Sequence, residues 1–316
     1  MPTIIFVNRR RGLGINIWYS SVPNRGDPGF KPLQMPTGRH SLTSIPLSND
    51  RGAFVGGANT SSTLLTTNEI YDFTTNTWSS GAPMPTGRQG LTSIPLSNDR
   101  GAFVGGINSP GYGGLRTNEI YNFTTNTWSS GALMPTARVS LTSIPLSNDR
   151  GAFVGGEGYY AISVANEIYN FTTNTWSSGA PMPTGRTLLT SIPLSNNRGA
   201  FVGGASNSNV YSAINEIYDF TTNTWSSGAP MPTGRYELTS IPLSNDRGAF
   251  VGGTNSFRSI LGTNEIYDFT TNTWSSGAPM PTGRMVLTSI PLSNNRGAFV
   301  GGVSNISDSV NEVYYA

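Results

Sequence analysis

The sequence predicts an all-β propeller, with six four-stranded antiparallel sheets set radially about one axis. The first observation behind this is a repeat. Leu42 to Gly57, LTSIPLSNDRGAFVGG, returns at Leu91, Leu141, Leu189, Leu238 and Leu287 with at most an Asp-to-Asn change. The first Gly of each Gly-Gly pair (Gly56, Gly105, Gly155, Gly203, Gly252, Gly301) follows the last at steps of 49, 50, 48, 49 and 49 residues. A period in this range decides architecture before any local reading does. Secondly, each of the first five units carries four short β-prone runs bounded by turn clusters. Thirdly, no stretch shows the apolar 3.6-residue spacing of a helix. One four-stranded meander cannot bury both of its faces, whereas sheets arranged radially pack each face on a neighbour.

From Gly38 the unit reads GR, two variable residues, LTSIPL, SND, RGAFVGG, a variable loop, NEIYDFTTNTW and SSGAPMPT, with a few single-residue changes between copies such as Ala137 for Gly. LTSIPL and RGAFVGG form a hairpin around Ser48-Asn49-Asp50, and NEIYDF with NTWSS forms a second around Thr74-Thr75-Asn76. Pro46 and its copies lack an N–H, so the first strand of each unit belongs at a sheet edge, innermost, with backbone groups turned to an axial channel. One domain is expected over 1–316, with blades at 38–86, 87–136, 137–184, 185–233, 234–282 and 283–316. The last unit stops at NEVYYA, without a Trp strand. Residues 1–37 hold an echo of that strand, Ile17-Trp18-Tyr19-Ser20-Ser21, so residues about 15–21 are expected to complete the sixth blade and close the ring.

Charged residues make up 11% of the chain, well under the roughly 25% of average soluble domains, which disfavours binding driven by a strong field. The net +2 divides into +4 over residues 1–37 and −2 over the repeats, so no nucleic-acid groove is expected. There is no Cys, hence no thiol nucleophile or thiolate metal site, and the lone His40 has no second imidazole to share a metal with. No cofactor is expected. MPTIIFVNRRR puts its basic run after a short apolar one, the reverse of a secretory signal, and no apolar run is long enough to span a membrane. These features predict a soluble chain, cytoplasmic rather than exported, and monomeric.

A hairpin ending in Gly-Gly, then Tyr-Asp, then Asn-Thr-Trp, followed by Met-Pro-x-x-Arg, resembles the kelch repeat. The resemblance covers residues 38–316 in five full copies and one split copy, with Phe73 and its copies where the family usually has Pro. It implies a six-bladed kelch-type β-propeller and, for many members, an interaction domain. Some related propellers are copper-radical oxidases that need a Cys-crosslinked Tyr and two His, which this chain lacks. Others act on sialic acid through Glu and Arg, for which Glu157 and Glu237 are the candidates here.

The differences between units are informative. They fall at the pair after the Arg (His40-Ser41, Gln89-Gly90, Val139-Ser140, Thr187-Leu188, Tyr236-Glu237, Met285-Val286) and in the loop between Gly-Gly and Asn-Glu. In an antiparallel meander both sites lie at the same end of the sheet. One face of the disc therefore varies, while the SND and FTTNT turns of the other stay nearly constant, as for a recognition surface on a scaffold. The expected binding residues are His40, Ser41, Gln89, Tyr112, Arg116, Val139, Tyr159, Tyr160, Thr187, Tyr211, Tyr236, Glu237, Phe257, Arg258 and Met285. Tyr, Phe and Arg are frequent interface anchors. By contrast, Arg39, Arg51 and Glu69 recur in every unit and read as framework pairs, and Trp78 and its copies read as core between blades.

These features predict a non-enzymatic binding module for a protein or peptide. The alternatives are a multivalent carbohydrate-binding lectin, a symmetric scaffold without an evolved ligand, and a sugar-acting enzyme.

Overall fold

Pro46 decides the strand order. In the first sheet, β1 (Thr43–Leu47), β2 (Arg51–Val55), β3 (Asn68–Asp72) and β4 (Thr77–Ser80) lie in sequence order, with β1 at one edge and Pro46 opposite Gly52. The structure is a computed structural model that describes residues 35–109, 113–147, 149–206, 211–243, 246–292, 296–304 and 314–315. The edge strand of each sheet contacts the edge strands of the sheets on either side, so these strands surround the axis.

The backbone groups freed at that inner edge find partners on the neighbouring blade. Ser93 Oγ donates to the Ser44 carbonyl at 2.9 Å and lies 2.6 Å from Thr43 Oγ1. A carbonyl only accepts, so Ser93 spends its proton there and Thr43 must donate to Ser93. The same pair of bonds links Thr92 with Ser143, Thr142 with Ser191, Thr190 with Ser240, Thr239 with Ser289, and Ser44 with Thr288. The inner edge thus satisfies its serine carbonyls with its own hydroxyls, where the sequence suggested groups awaiting partners.

Between blades, each inner Ile fills the space left by a Gly on the next blade's second strand. A Cβ at Gly101 would stand 2.2 Å from Ile45 Cδ1, and one at Gly52 would stand 2.2 Å from Ile290 Cδ1. Around this contact, Ile45, Ala53, Val55, Met84, Leu91, Phe103 and Tyr121 form one fully or nearly buried cluster, and similar clusters recur at the other sheet pairs. Trp128 packs on Phe103 and Tyr121, and its indole N–H donates to the Ala82 carbonyl of the preceding blade at 2.9 Å. The Trp strand is therefore a clasp between blades.

The recurring Arg and Glu are internal. Arg138 has no exposed surface and donates to Glu167 at 2.6 Å, Gly155 O at 2.7 Å and Phe153 O at 3.2 Å. Arg39, Arg88, Arg186 and Arg235 pair in the same way with Glu69, Glu119, Glu216 and Glu265. Burial lowers the Arg39 pKa to about 10, partly offset by Glu69, so the guanidinium stays charged at neutral pH. On the other face, Arg51 meets Asp99 of the next blade at 3.5 Å with both side chains partly in solvent, where such a pair contributes about 1 kcal/mol or less. Asp72 and Asn122 both accept two turn amides through Oδ1, so that turn needs an acceptor and not a charge.

The expected ring of six complete blades, closed by an N-terminal strand, is corrected. Five sheets have four strands; the sixth has three, at Thr288–Leu292, Arg296–Val300 and Tyr314–Tyr315. Among the described residues, its last strand pairs Ala298 with Tyr315 and Phe299 with Tyr314. The molecule described is five complete blades and a partial sixth. Residues 15–21, expected as the missing strand, lie outside the described residues. The sixth repeat carries no Asn-Thr-Trp run, and the echo at Trp18 stands 21 residues before Arg39 where the next unit spaces Trp78 and Arg88 by 10. No repeat-encoded turn therefore dictates that strand's place. The partial blade still packs on the first, with Ile290, Ala298 and Val300 in one buried cluster with Met35, Leu42, Phe54 and Tyr71.

Candidate functional site

The two variable sites meet because the backbone pairs them. The first residue of each variable pair bridges the residue just after Gly-Gly: His40 with Ala58, Gln89 with Ile107, Val139 with Glu157, Thr187 with Ala205, Tyr236 with Thr254 and Met285 with Val303. Each such pair brings the root of the variable loop to the start of the inner strand. Both sites therefore lie at one end of the sheets.

The second residue of each pair forms a ring about the axis. Gly90 N–H donates to Ser41 O at 3.0 Å, Ser140 to Gly90 at 2.8 Å, Leu188 to Ser140 at 3.0 Å, Glu237 to Leu188 at 3.0 Å, Val286 to Glu237 at 3.1 Å, and Ser41 to Val286 at 3.1 Å. Closing this ring requires left-handed backbone, and φ runs from 50° at Val286 to 64° at Gly90. Gly is the residue suited to such a position, yet only one of the six is Gly. Leu, Glu and Val stand there at a cost of roughly 1–2 kcal/mol each. The ring and the leucine that follows each member line a pocket of about 120 Å³ on the axis.

Among the described residues, Glu237 is the one ionisable side chain lining that pocket. Burial raises its pKa from 4.5 to about 7. Beside it Tyr236 stacks on Tyr211, ring centroids 4.8 Å apart and 16° from parallel. Burial raises the Tyr236 pKa, helped by the Glu237 charge and Tyr211 and opposed by Arg258. Across the ring, His40 Nδ1 lies 3.0 Å from Ser41 Oγ, and burial lowers its pKa, so it is neutral at neutral pH.

The other expected residues divide by exposure. Tyr159, Tyr160 and Phe257 stand well out into solvent, and Tyr159 and Tyr160 touch edge to face. Arg258 is exposed at the tip of the same loop as Phe257. Arg116 is exposed, but its Nε donates to Met134 O. Gln89 and Met285 are half-buried, and Met285 Sδ accepts from Thr254 Oγ1 at 3.1 Å. Val139 and Thr187 are buried and support the face from beneath. Tyr112 lies outside the described residues. Sequence reasoning marked all six pairs as variable, but of their second members it put only Ser41 and Glu237 among the binding residues and left out Gly90, Ser140, Leu188 and Val286, the rest of the ring. Their position directly before each LTSIPL was the available signal.

Glu237 makes stability pH-dependent. A carboxyl whose folded pKa lies above its unfolded value binds its proton more tightly when folded. Its contribution is complete below about pH 4.5 and is lost as pH rises through about 7. Glu237→Gln is therefore expected to leave stability unchanged at pH 4 and to raise it at pH 8 by up to about 3 kcal/mol, read from urea unfolding at the two pH values. Equal midpoint shifts at both would show that the carboxyl is solvated.

The Kelch motif model matches residues 55–85 and 251–281. No curated protein matches the chain. Among the solved structures, one described as "Structure of YjhT" is similar, with a TM-score of 0.76 and 17% identity over 89% of this chain and 95% of that one. At that identity the likeness concerns the fold alone.

Proposed function

We propose that this β-propeller, whose repeats match the Kelch motif at two sites, is a non-enzymatic recognition module whose variable face takes a protein or peptide. One observation carries this reading. The side chains that break the repeat converge on one face around one axial pocket, while the repeated charges are consumed inside the blades or in pairs on the opposite face. The Tyr211–Tyr236 stack supplies a rigid aromatic platform, and Phe257, Tyr159 and Tyr160 add exposed rings around it. Aromatic groups of this kind carry most of the energy at protein interfaces. A lectin with one site per blade would need equivalent sites, and these six positions differ in size, charge and polarity. Acid–base chemistry on a sugar needs two positioned titratable groups, and among the described residues Glu237 alone lines the pocket with one.

The test is selection from a displayed peptide library, followed by affinity measurement on variants. Replacing Tyr211, Tyr236 and Phe257 by Ser is expected to weaken the selected ligands by about thirtyfold or more, the loss of one anchor of about 2 kcal/mol. Replacing Thr124, Thr172 and Thr222 by Ala on the opposite face should leave affinity unchanged. Ligands that bind both variants equally would remove the variable face from consideration.

A further inference from the structure

Five of the six ring positions are neutral, Ser41, Gly90, Ser140, Leu188 and Val286, and the sixth is an acid. The ring's geometry does not require it, since the same hydrogen bonds and the same left-handed backbone are made with Ser, Gly, Leu or Val. Among the described residues, no cation pairs with the Glu237 carboxylate and no side chain donates a hydrogen bond to it. It sits instead at a pocket of about 120 Å³, room for several water-sized groups, bordered by the ring, with Ser41, Ser140 and Val286, and by leucines. A mostly buried carboxylate without a partner, beside open space, is unfavourable for the empty protein and is relieved by a ligand of opposite charge.

We propose that the axial pocket is a subsite for a protonated primary amine, with Glu237 as its counter-ion. This rests on the recognition reading above and specifies what part of a protein or peptide enters the axis. The chemistry follows from the donor set. One carboxylate cannot hold a divalent ion, which takes six or more oxygen ligands for calcium and near-octahedral coordination for magnesium, and no group of three or more His, Asp or Glu converges among the described residues. A guanidinium fork is best met by a carboxylate in bidentate register with further acceptors, whereas the carbonyls of this ring are already committed to its own amides. An ammonium is compact, tolerates one charged acceptor, and brings a short methylene stem or an α-carbon that the leucine-bordered wall accommodates. The Tyr211–Tyr236 stack stands alongside, so the remainder of a peptide has a surface to lie on.

The groups facing Glu237 define the pH behaviour. Tyr236 beside it, its pKa raised by burial, stays protonated at neutral pH, Arg258 is exposed on its loop, and His40 on the first blade is neutral. Glu237 is then the group whose charge changes near neutrality.

The experiment is calorimetric titration of the full chain with three probes. They are Nα-acetyl-lysine methylamide (a side-chain amine), leucinamide (an α-amine) and Nα-acetyl-norleucine methylamide (no charge). One or both amines should bind at pH 8 and the neutral probe should not; which amine binds better identifies a lysine or a peptide N-terminus as the source. For the lysine probe, protonated throughout, affinity should fall about tenfold between pH 8 and pH 6, following the ionised fraction of a carboxyl that titrates near 7; for the α-amine, itself about half deprotonated at pH 8, the fall should be about fourfold. Glu237→Gln should lose at least tenfold at pH 8. Because the ring repeats, moving the acid with Glu237→Ser and Ser140→Glu together should restore amine binding. A carbon-detected titration of Glu237 in the unaltered protein, whose midpoint should fall when amine is added, gives a readout independent of any variant. Neutral and charged probes binding alike, or a Glu237 midpoint unmoved by saturating amine, would overturn the subsite. Library-selected ligands that still depend on Tyr211 and Tyr236 would then leave the recognition face standing.

Discussion

Glu167→Ala is expected to lower stability by about 3–5 kcal/mol, because it leaves a guanidinium buried without its counter-ion. Arg138 has no exposed surface, and Glu167 accepts from it at 2.6 Å and from Thr136 Oγ1 at 2.6 Å. Replacing the whole pair often recovers such a loss, but here recovery should be incomplete. Arg138 also donates to the Phe153 and Gly155 carbonyls, so Arg138→Met with Glu167→Leu orphans both of them. Arg100→Ala, which breaks the half-exposed pair with Asp149, is the control and should change stability by about 1 kcal/mol or less. Urea unfolding followed by tryptophan fluorescence measures all three. A small loss for Glu167→Ala would mean that water reaches Arg138.

Gly156→Ala is expected to destabilise by a comparable amount, for a different reason. Its φ of 85° lies in the left-handed region that residues with a Cβ avoid. A Cβ there would stand 2.6 Å from the Val139 carbonyl oxygen and 2.8 Å from Leu141 Cβ. Backbone strain of about 1–3 kcal/mol adds to an overpacking cost of about 1–3 kcal/mol, since neither neighbour is the end of a flexible side chain. Gly158→Ala, only two residues along, meets nothing closer than the Ala137 carbonyl at 3.4 Å. It should be neutral or stabilising by up to about 1 kcal/mol, through the loss of unfolded-state freedom. Equal effects from the two substitutions would show that the loop shifts freely.

Much of the architecture was legible in the residues. Pro46 declared an edge strand, and the turn clusters at Ser48-Asn49-Asp50 and Thr74-Thr75-Asn76 declared the two hairpins. The shared face of the two variable sites followed from antiparallel pairing, which His40–Ala58 and its copies realise. The sixth blade was misjudged because the repeat carries no instruction for its fourth strand. Val139 and Thr187 were expected on the surface for the same kind of reason: variability says that a position tolerates change, not that its side chain meets solvent.

The sequence by itself determined the repeat, the four-strand unit and the end of the sheets where differences accumulate, because each follows from backbone rules acting over a few residues and copied along the chain. The tertiary structure alone decided which variable residues face one another. Ser41 and Val286, 245 positions apart, are hydrogen-bonded neighbours in the ring. Thr and Ser hydroxyls close the inner edge only when blades stand side by side. The same glutamate that would be an ordinary surface acid in an isolated hairpin titrates near 7 at the axis. Proximity across blades and loss of solvent are properties of the assembled disc, and no local run of residues encodes either.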